Sequence, residues 1–180
     1  MTVKVKGDQV GMRIVMRNTY DGTSNLKLSF GALVLVCTNG LVLPGKESIG
    51  FDAAHVGGIH ERLGMLTAKV RKIEELMGSR MIETYSQLDK VVPNEIAQEV
   101  VKRTLGERKM EAPLKYWRDG IGRDGSKTAW NLYNGITQYL THDFTGGWGR
   151  RERKNAQALD LITGYVKHGG LPPLEESENN

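Results

Sequence analysis

The sequence predicts an α+β fold: an antiparallel β-meander of three to four strands over about residues 3–43, packed by a long helix over about 55–85 and by three shorter C-terminal helices. Three observations predict it. The first fifty residues alternate apolar and polar with period two, the stretch after about residue 55 changes to alternating spacings of three and four, and Gly and Pro punctuate the boundaries between them. At 180 residues the chain has the length of one domain, and 39% hydrophobic with 26% charged residues is ordinary for a globular protein. The expected organisation is a single domain over 1–170 with a disordered acidic tail over 171–180.

Val10, Met12, Ile14 and Met16 alternate with Gly11 and Arg13, which makes a half-buried strand. Asp21-Gly22 supplies a turn, and Leu26, Leu28 and Phe30 alternate with Lys27 and Ser29 to complete a hairpin. The run Ala32–Cys37 is apolar on both faces and suits a central strand, and Leu41-Val42-Leu43 follows before Pro44-Gly45. Cys37 is the only cysteine; it forms no intramolecular disulfide and reads as a small buried hydrophobe.

Val56, Ile59, Leu63, Leu66, Val70, Ile73 and Met77 then mark an amphipathic helix, set to lie across the sheet or to pack on another subunit. Pro93 opens a shorter helix with Ile96, Val100 and Val101 that ends near Gly106. The stretch 106–127, with Pro113, Gly120, Gly122 and Gly125 among charges, reads as a long loop. Ser126 is the expected cap of a helix bearing Trp130, Tyr133, Ile136 and Leu140, and a last helix runs from about Arg151 to Lys167 until Gly169-Gly170.

Several chemistries find little support. No run approaches the roughly 18 apolar residues that a membrane span needs, and the start lacks a signal-peptide stretch, so the expected compartment is cytoplasmic. His55 and His60 are five apart, which does not bring two imidazoles to one metal, so no metal and no cofactor are expected. Gly120, Gly122 and Gly125 match G-x-G-x-x-G, but no predicted strand precedes them. His142-Asp143 could be a base and its orienting carboxylate, yet no nucleophile is placed beside them; a histidine at a helix C-terminus is more simply a favourable dipole interaction. The chain is therefore expected to bind rather than to catalyse.

The net charge is +4 with an acidic end at Glu175, Glu176 and Glu178, so the body is more basic still, which fits a polyanion partner. Trp148, Arg150, Arg151, Arg153 and Lys154 join an aromatic to four cations at a helix start, where cations oppose the macrodipole unless an anion is near. The plainer reading is a solvated helix start with Trp148 in the core. Arg13, Arg17 and Lys27 would add a basic sheet face, or an ordinary solvated one. Asn131 and Asn134, beside the aromatic stripe, either tie a neighbouring loop or face a ligand.

Three stretches together resemble a phage/plasmid-like family, domain of unknown function 932. They are Asn18–Lys27 with its Asp-Gly turn, Val36–Leu41 around Asn39, and Thr128–His142 with its aromatic-Asn helix. Thr38, Gly40 and Gln138 depart from the family pattern, and the longer N-terminal region of many members is lacking. The resemblance implies a mobile-element origin in a bacterial host and transfers no catalytic residue. The order of hairpin, sheet and long helix also looks like the core of phage single-strand annealing proteins, which hold a strand along a basic groove and often form rings.

The resulting expectation is a phage or plasmid DNA-binding protein, for single-stranded DNA binding or annealing in recombination, that self-associates as a homo-oligomer. The alternative is a protein-binding factor acting on a host or defence complex, through the long helix and the stretch 106–127.

Overall fold

The computed structural model describes the backbone of residues 2–5, 8–17, 26–34, 40–42, 51–53, 64, 79, 83–120 and 125–173, and the side chains of 4, 8–11, 64, 79, 83–120 and 125–173. The chain divides into two compact units, Met1–Ser86 and Gln87–Asn180.

Among the described residues of the first unit the backbone pairs the strands β1 (Thr2–Val5), β2 (Asp8–Arg17), β3 (Leu26–Val34), β4 (Gly40–Val42) and β5 (Phe51–Ala53). The β2–β3 ladder runs antiparallel from Val10 opposite Val34 to Arg17 opposite Lys27. The other edge of β3 is split: β4 pairs with its residues 31–33 and β5 with its residues 26–28. β4 has three residues, too few to cover the nine of β3.

The second unit is helical: α1 (Asn94–Leu105), α2 (Glu111–Asp119), α3 (Ala129–His142) and α4 (Trp148–His168), with single 3-10 turns at Gln87–Asp89 and Glu107–Lys109. The expected α+β class, a meander packed by helices, is thereby corrected to a mainly helical one. Of the residues whose side chains are placed, 72% are helical, beside the single strand segment 8–11. The physical reason is that the helices close a core of their own, in which Val100, Val101, Trp117, Trp130, Leu132, Ile136, Leu140, Leu159 and Ile162 are buried.

Several expectations fall outside the described residues. These are the long helix over 55–85 apart from isolated positions and its last turn at 83–86, the burial of Cys37, the histidines 55 and 60, Gly122 of the glycine pattern, and the tail after 173.

The stretch 106–127, read as a loop, instead holds the Glu107–Lys109 turn and α2. Pro113 is the third helical residue of α2, where an N–H has no intrahelical partner in any case, so the proline ends nothing. Leu114 and Trp117, three apart, bury its inner face, and Gly120 closes it in the left-handed conformation at φ 61°.

The cap of α3 is Thr128 and not Ser126. The Thr128 hydroxyl oxygen accepts from the Asn131 backbone N–H at 3.3 Å, while Ser126 receives the Asn131 side-chain amide at its carbonyl, 2.7 Å away. Asn131 thus ties the preceding loop, and Asn134 donates to the Trp130 carbonyl at 2.9 Å. Asn131 takes the first of the two expected roles, tying a loop, whereas Asn134 bonds within its own helix.

The fourth helix starts three residues earlier than expected, at Trp148, and ends at Gly169, φ 74°. The Tyr133 hydroxyl donates to Asn155 Oδ1 at 2.7 Å, a buried tie between α3 and α4. Beyond Gly169 the chain turns back along α4, where Arg103 of α1 donates to the Pro172 carbonyl at 2.7 Å and a Cβ on Gly164 would meet the Pro172 ring at 3.0 Å. Among the described residues no helix is long and apolar enough to cross a membrane.

Two substitutions probe this packing. A Cβ at Gly135 would stand 2.9 Å from the Pro113 carbonyl oxygen and 3.0 Å from the Trp117 nitrogen, both backbone atoms, so Gly135→Ala must push α2 from α3. It is expected to cost about 1–3 kcal/mol in urea unfolding; a loss within noise would mean that the helices do not approach this closely. Replacing Asn131 and Asn134 together by alanine removes the buried hydrogen bonds to the Ser126 and Trp130 carbonyls and should lower the melting temperature, with about 1–3 kcal/mol lost. An unchanged melting temperature would contradict the hydrogen-bonding role.

Candidate nucleic-acid interface

Charge at the beginning of α4 follows directly from the sequence 148–154, and helix geometry distributes it. Arg150 and Arg153, three residues apart, are neighbours on one side of the helix and both are exposed. The first turn carries no acid, and cations at this end of a helix oppose its macrodipole. Glu152, the acid within this stretch, is half-buried and engaged.

Trp148, Arg151 and Lys154 are half-buried. The Arg151 guanidinium donates through Nη2 to the Phe144 carbonyl at 3.2 Å, which holds the turn leading into α4. Lys154 Nζ donates to the Thr104 carbonyl at 2.6 Å, in the last turn of α1, where a cation complements the negative end of that helix. Two of the five predicted contacts on α4 therefore have structural work as well as charge.

The 3-10 turn Glu107–Lys109 brings a further cation. Lys109 Nζ lies 4.8 Å from the centroid of the Phe144 ring, a cation–π contact on the residue whose carbonyl Arg151 engages. Burial holds the Lys154 ammonium below the ordinary lysine range, and the like charges of Lys109 and Arg150 lower it further. The shared contact with Phe144, its ring under Lys109 and its carbonyl on Arg151, places the turn after α1 beside the start of α4. Lys109 and Phe144 are the members that sequence reasoning missed. The run Glu107-Arg108-Lys109 was a visible signal of charge, but nothing local says where it folds.

Arg13, Arg17 and Lys27 lie on the strand backbone of the other unit. Arg17 is directly opposite Lys27, and Arg13 is four residues along β2 from Arg17, so the register assigns all three to one face. Their side chains lie outside the described residues.

His142 is the exposed last residue of α3, and Asp143 accepts a 2.6 Å hydrogen bond from the Tyr116 hydroxyl. That bond, with a smaller part from burial, raises the Tyr116 phenol above its usual range. The carboxylate is thus engaged by a phenol of α2. Among the described residues no group of three His, Cys, Asp or Glu side chains could hold a metal ion.

The position of Lys154 has a consequence for stability. Its folded pKa is depressed, so the contribution from this shift is fully present above the unfolded value, about 10.4, and is lost as pH falls through the folded value. Wild type should therefore gain stability relative to Lys154→Met as pH rises through that window. Urea unfolding of both proteins between neutral pH and the lysine range reads the difference; a gap that stays constant with pH would show that Lys154 is not crowded by burial and like charge.

No curated protein and no solved structure matches the chain. The profile of one family matches residues 1–163, which takes in the strands, the basic start of α4 and most of that helix. The chain accordingly belongs to the family described as Domain of unknown function (DUF932).

Proposed function

We propose that this protein is a phage or plasmid DNA-binding protein of the bacterial cytoplasm, which takes up single-stranded DNA in recombination or annealing and does so by binding, without chemistry, as a homo-oligomer. The observation that carries the reading is that Lys109 and Arg151 both engage Phe144, which sets the turn after α1 beside the start of α4, where Arg150 and Arg153 are exposed. Such a surface repels itself and is relieved by a polyanion. Arginine forks suit phosphate oxygens, and the half-buried Trp148 offers part of an aromatic surface to a base. Arg13, Arg17 and Lys27, on one face of the strand ladder, are a second set of positions at which a backbone could be held.

A single strand suits this surface better than a rigid duplex, because its phosphates can adapt to cations whose spacing follows two separate segments of chain. Self-association fits the same purpose, since repeated weak sites along one strand gain through effective concentration. The reading in which the stretch 106–127 contacts a host protein loses support from the burial of Leu114 and Trp117, which commits the apolar residues of α2 to the core.

Fluorescence anisotropy of labelled single-stranded oligonucleotides at rising salt tests the proposal. Affinity should fall steeply, with about 0.7 added to the logarithmic slope for each phosphate contact, and Arg150→Gln with Arg153→Gln should flatten the slope by about 1.4 while leaving the melting temperature unchanged. Absence of binding at low salt would dismiss the proposal.

A further inference from the structure

We infer that the acidic stretch after α4, with Glu175, Glu176 and Glu178, docks along the side of α4 that carries Arg150 and Arg153 and occupies it in place of an external polyanion. The inference rests on the single-strand reading for what the stretch excludes, and not for where it lies. Three observations carry it: the direction in which the chain leaves α4, the helix face it follows, and the match in reach between acids and arginines.

Fixed contacts set the direction. Gly169 closes α4 in the left-handed conformation, with its N–H bonded to the Tyr165 carbonyl at 2.8 Å. Three residues later the Pro172 ring lies 3.0 Å from the place of a Cβ on Gly164, and the Pro172 carbonyl accepts from Arg103 Nη1 at 2.7 Å. The chain has therefore turned back toward the beginning of α4 and is held there on both α1 and α4. Leu171 and Pro172 each precede a proline, which disfavours helical backbone and keeps the chain extended on that heading.

Helix spacing sets the face. Gly164, Gln157 and Arg150 are seven apart and share one stripe of α4, with Arg153 on its flank four residues before Gln157. Gln157 Nε2 donates to the Arg103 carbonyl at 3.2 Å, and Lys154 Nζ to the Thr104 carbonyl at 2.6 Å. The stripe on which Pro172 rests is thus the one that borders the end of α1, and along it Arg150 and Arg153 are exposed.

Reach then brings the acids to the arginines. At a rise of about 1.5 Å per residue, Arg153 and Arg150 lie about 16 and 21 Å along α4 from the level of Gly164. An extended chain covers about 3.3 Å per residue, which carries Glu175, Glu176 and Glu178 about 10, 13 and 20 Å beyond Pro172. Glu176 and Glu178 bracket Arg153, and Glu178 comes level with Arg150. Asp160, an acid on the same stripe, lies only about 6 Å along it, where the uncharged Pro173 and Leu174 pass. Exposed ion pairs are individually weak, but the Pro172 anchor makes these intramolecular, at a millimolar effective concentration.

The test compares the isotope-labelled full chain with its Glu175→Gln, Glu176→Gln, Glu178→Gln variant, which keeps the Pro172 anchor and the length. At low salt the backbone amide resonances of 150–157 and of Arg103 and Thr104 should differ between the two proteins. The difference should shrink as salt rises and stay unchanged on dilution. In anisotropy at low salt the variant should bind a single-stranded oligonucleotide about threefold or more tightly than wild type. Resonance changes confined to 172–180, or changes at α4 that fade on dilution, would overturn docking within the chain whatever the oligonucleotide does. Changes at α4 with equal oligonucleotide affinity would overturn the exclusion, because stretch and strand would then use separate faces. Changes at α4 with no binding of the strand by either protein would sustain the docking and remove the single-strand reading.

Discussion

Helix α3 is buried along almost its whole length, and that constraint governs the helical unit. A helix surrounded in this way has no wet face on which to place polar groups, yet its sequence carries Asn131, Tyr133, Asn134 and Thr137, all buried. Each has a hydrogen-bond acceptor: the Ser126 carbonyl for Asn131, the Trp130 carbonyl for Asn134, Asn155 for Tyr133 and the Asn134 carbonyl for Thr137. Burying such groups without partners is costly, so the positions of the preceding loop and of α4 are tied to the side chains of α3. Gly135 sets the third neighbour, because its missing side chain is what lets the backbone of α2 approach.

The basic surface follows from that arrangement. Once Tyr133 and Asn155 fix α4 against α3, the first turns of α4 come to lie by the turn after α1, and Lys154 reaches the Thr104 carbonyl. Arg151 and Lys154 are thus anchored on backbone carbonyls and Lys109 on an aromatic ring. Those three contacts orient the side chains through neutral groups and leave their charge intact.

Much of the helical unit was legible in the sequence, because apolar residues at spacings of three and four in α1, α3 and α4 are local signals that tertiary structure did not override. Helix α2 was not: Pro113 and the glycines after it carry the marks of a loop, and only the helix start, where a missing N–H costs nothing, makes the proline compatible. The cap of α3 was misplaced by two residues because Ser126 and Thr128 are chemically equivalent candidates, and choosing between them needs the direction of the incoming chain. For the candidate site, the cation run 150–154 was legible as charge. The separation of Arg150 and Arg153, which are exposed, from Arg151 and Lys154, which hold carbonyls, was not, since Phe144 and Thr104 enter only through folding. The α+β class failed for a related reason: period-two patterning reports strands, but not how the helices share out the core.

Arg103 binds Glu99 within its own helix at 2.7 Å and reaches on to the carbonyl of Pro172, while Pro172 lies against the bare backbone of Gly164. The chain that leaves α4 is in this way stitched back to the helix that begins the unit. Arg103 is therefore shared between a carboxylate of α1 and the stretch that follows α4, so the Pro172 carbonyl competes with Glu99 for one guanidinium.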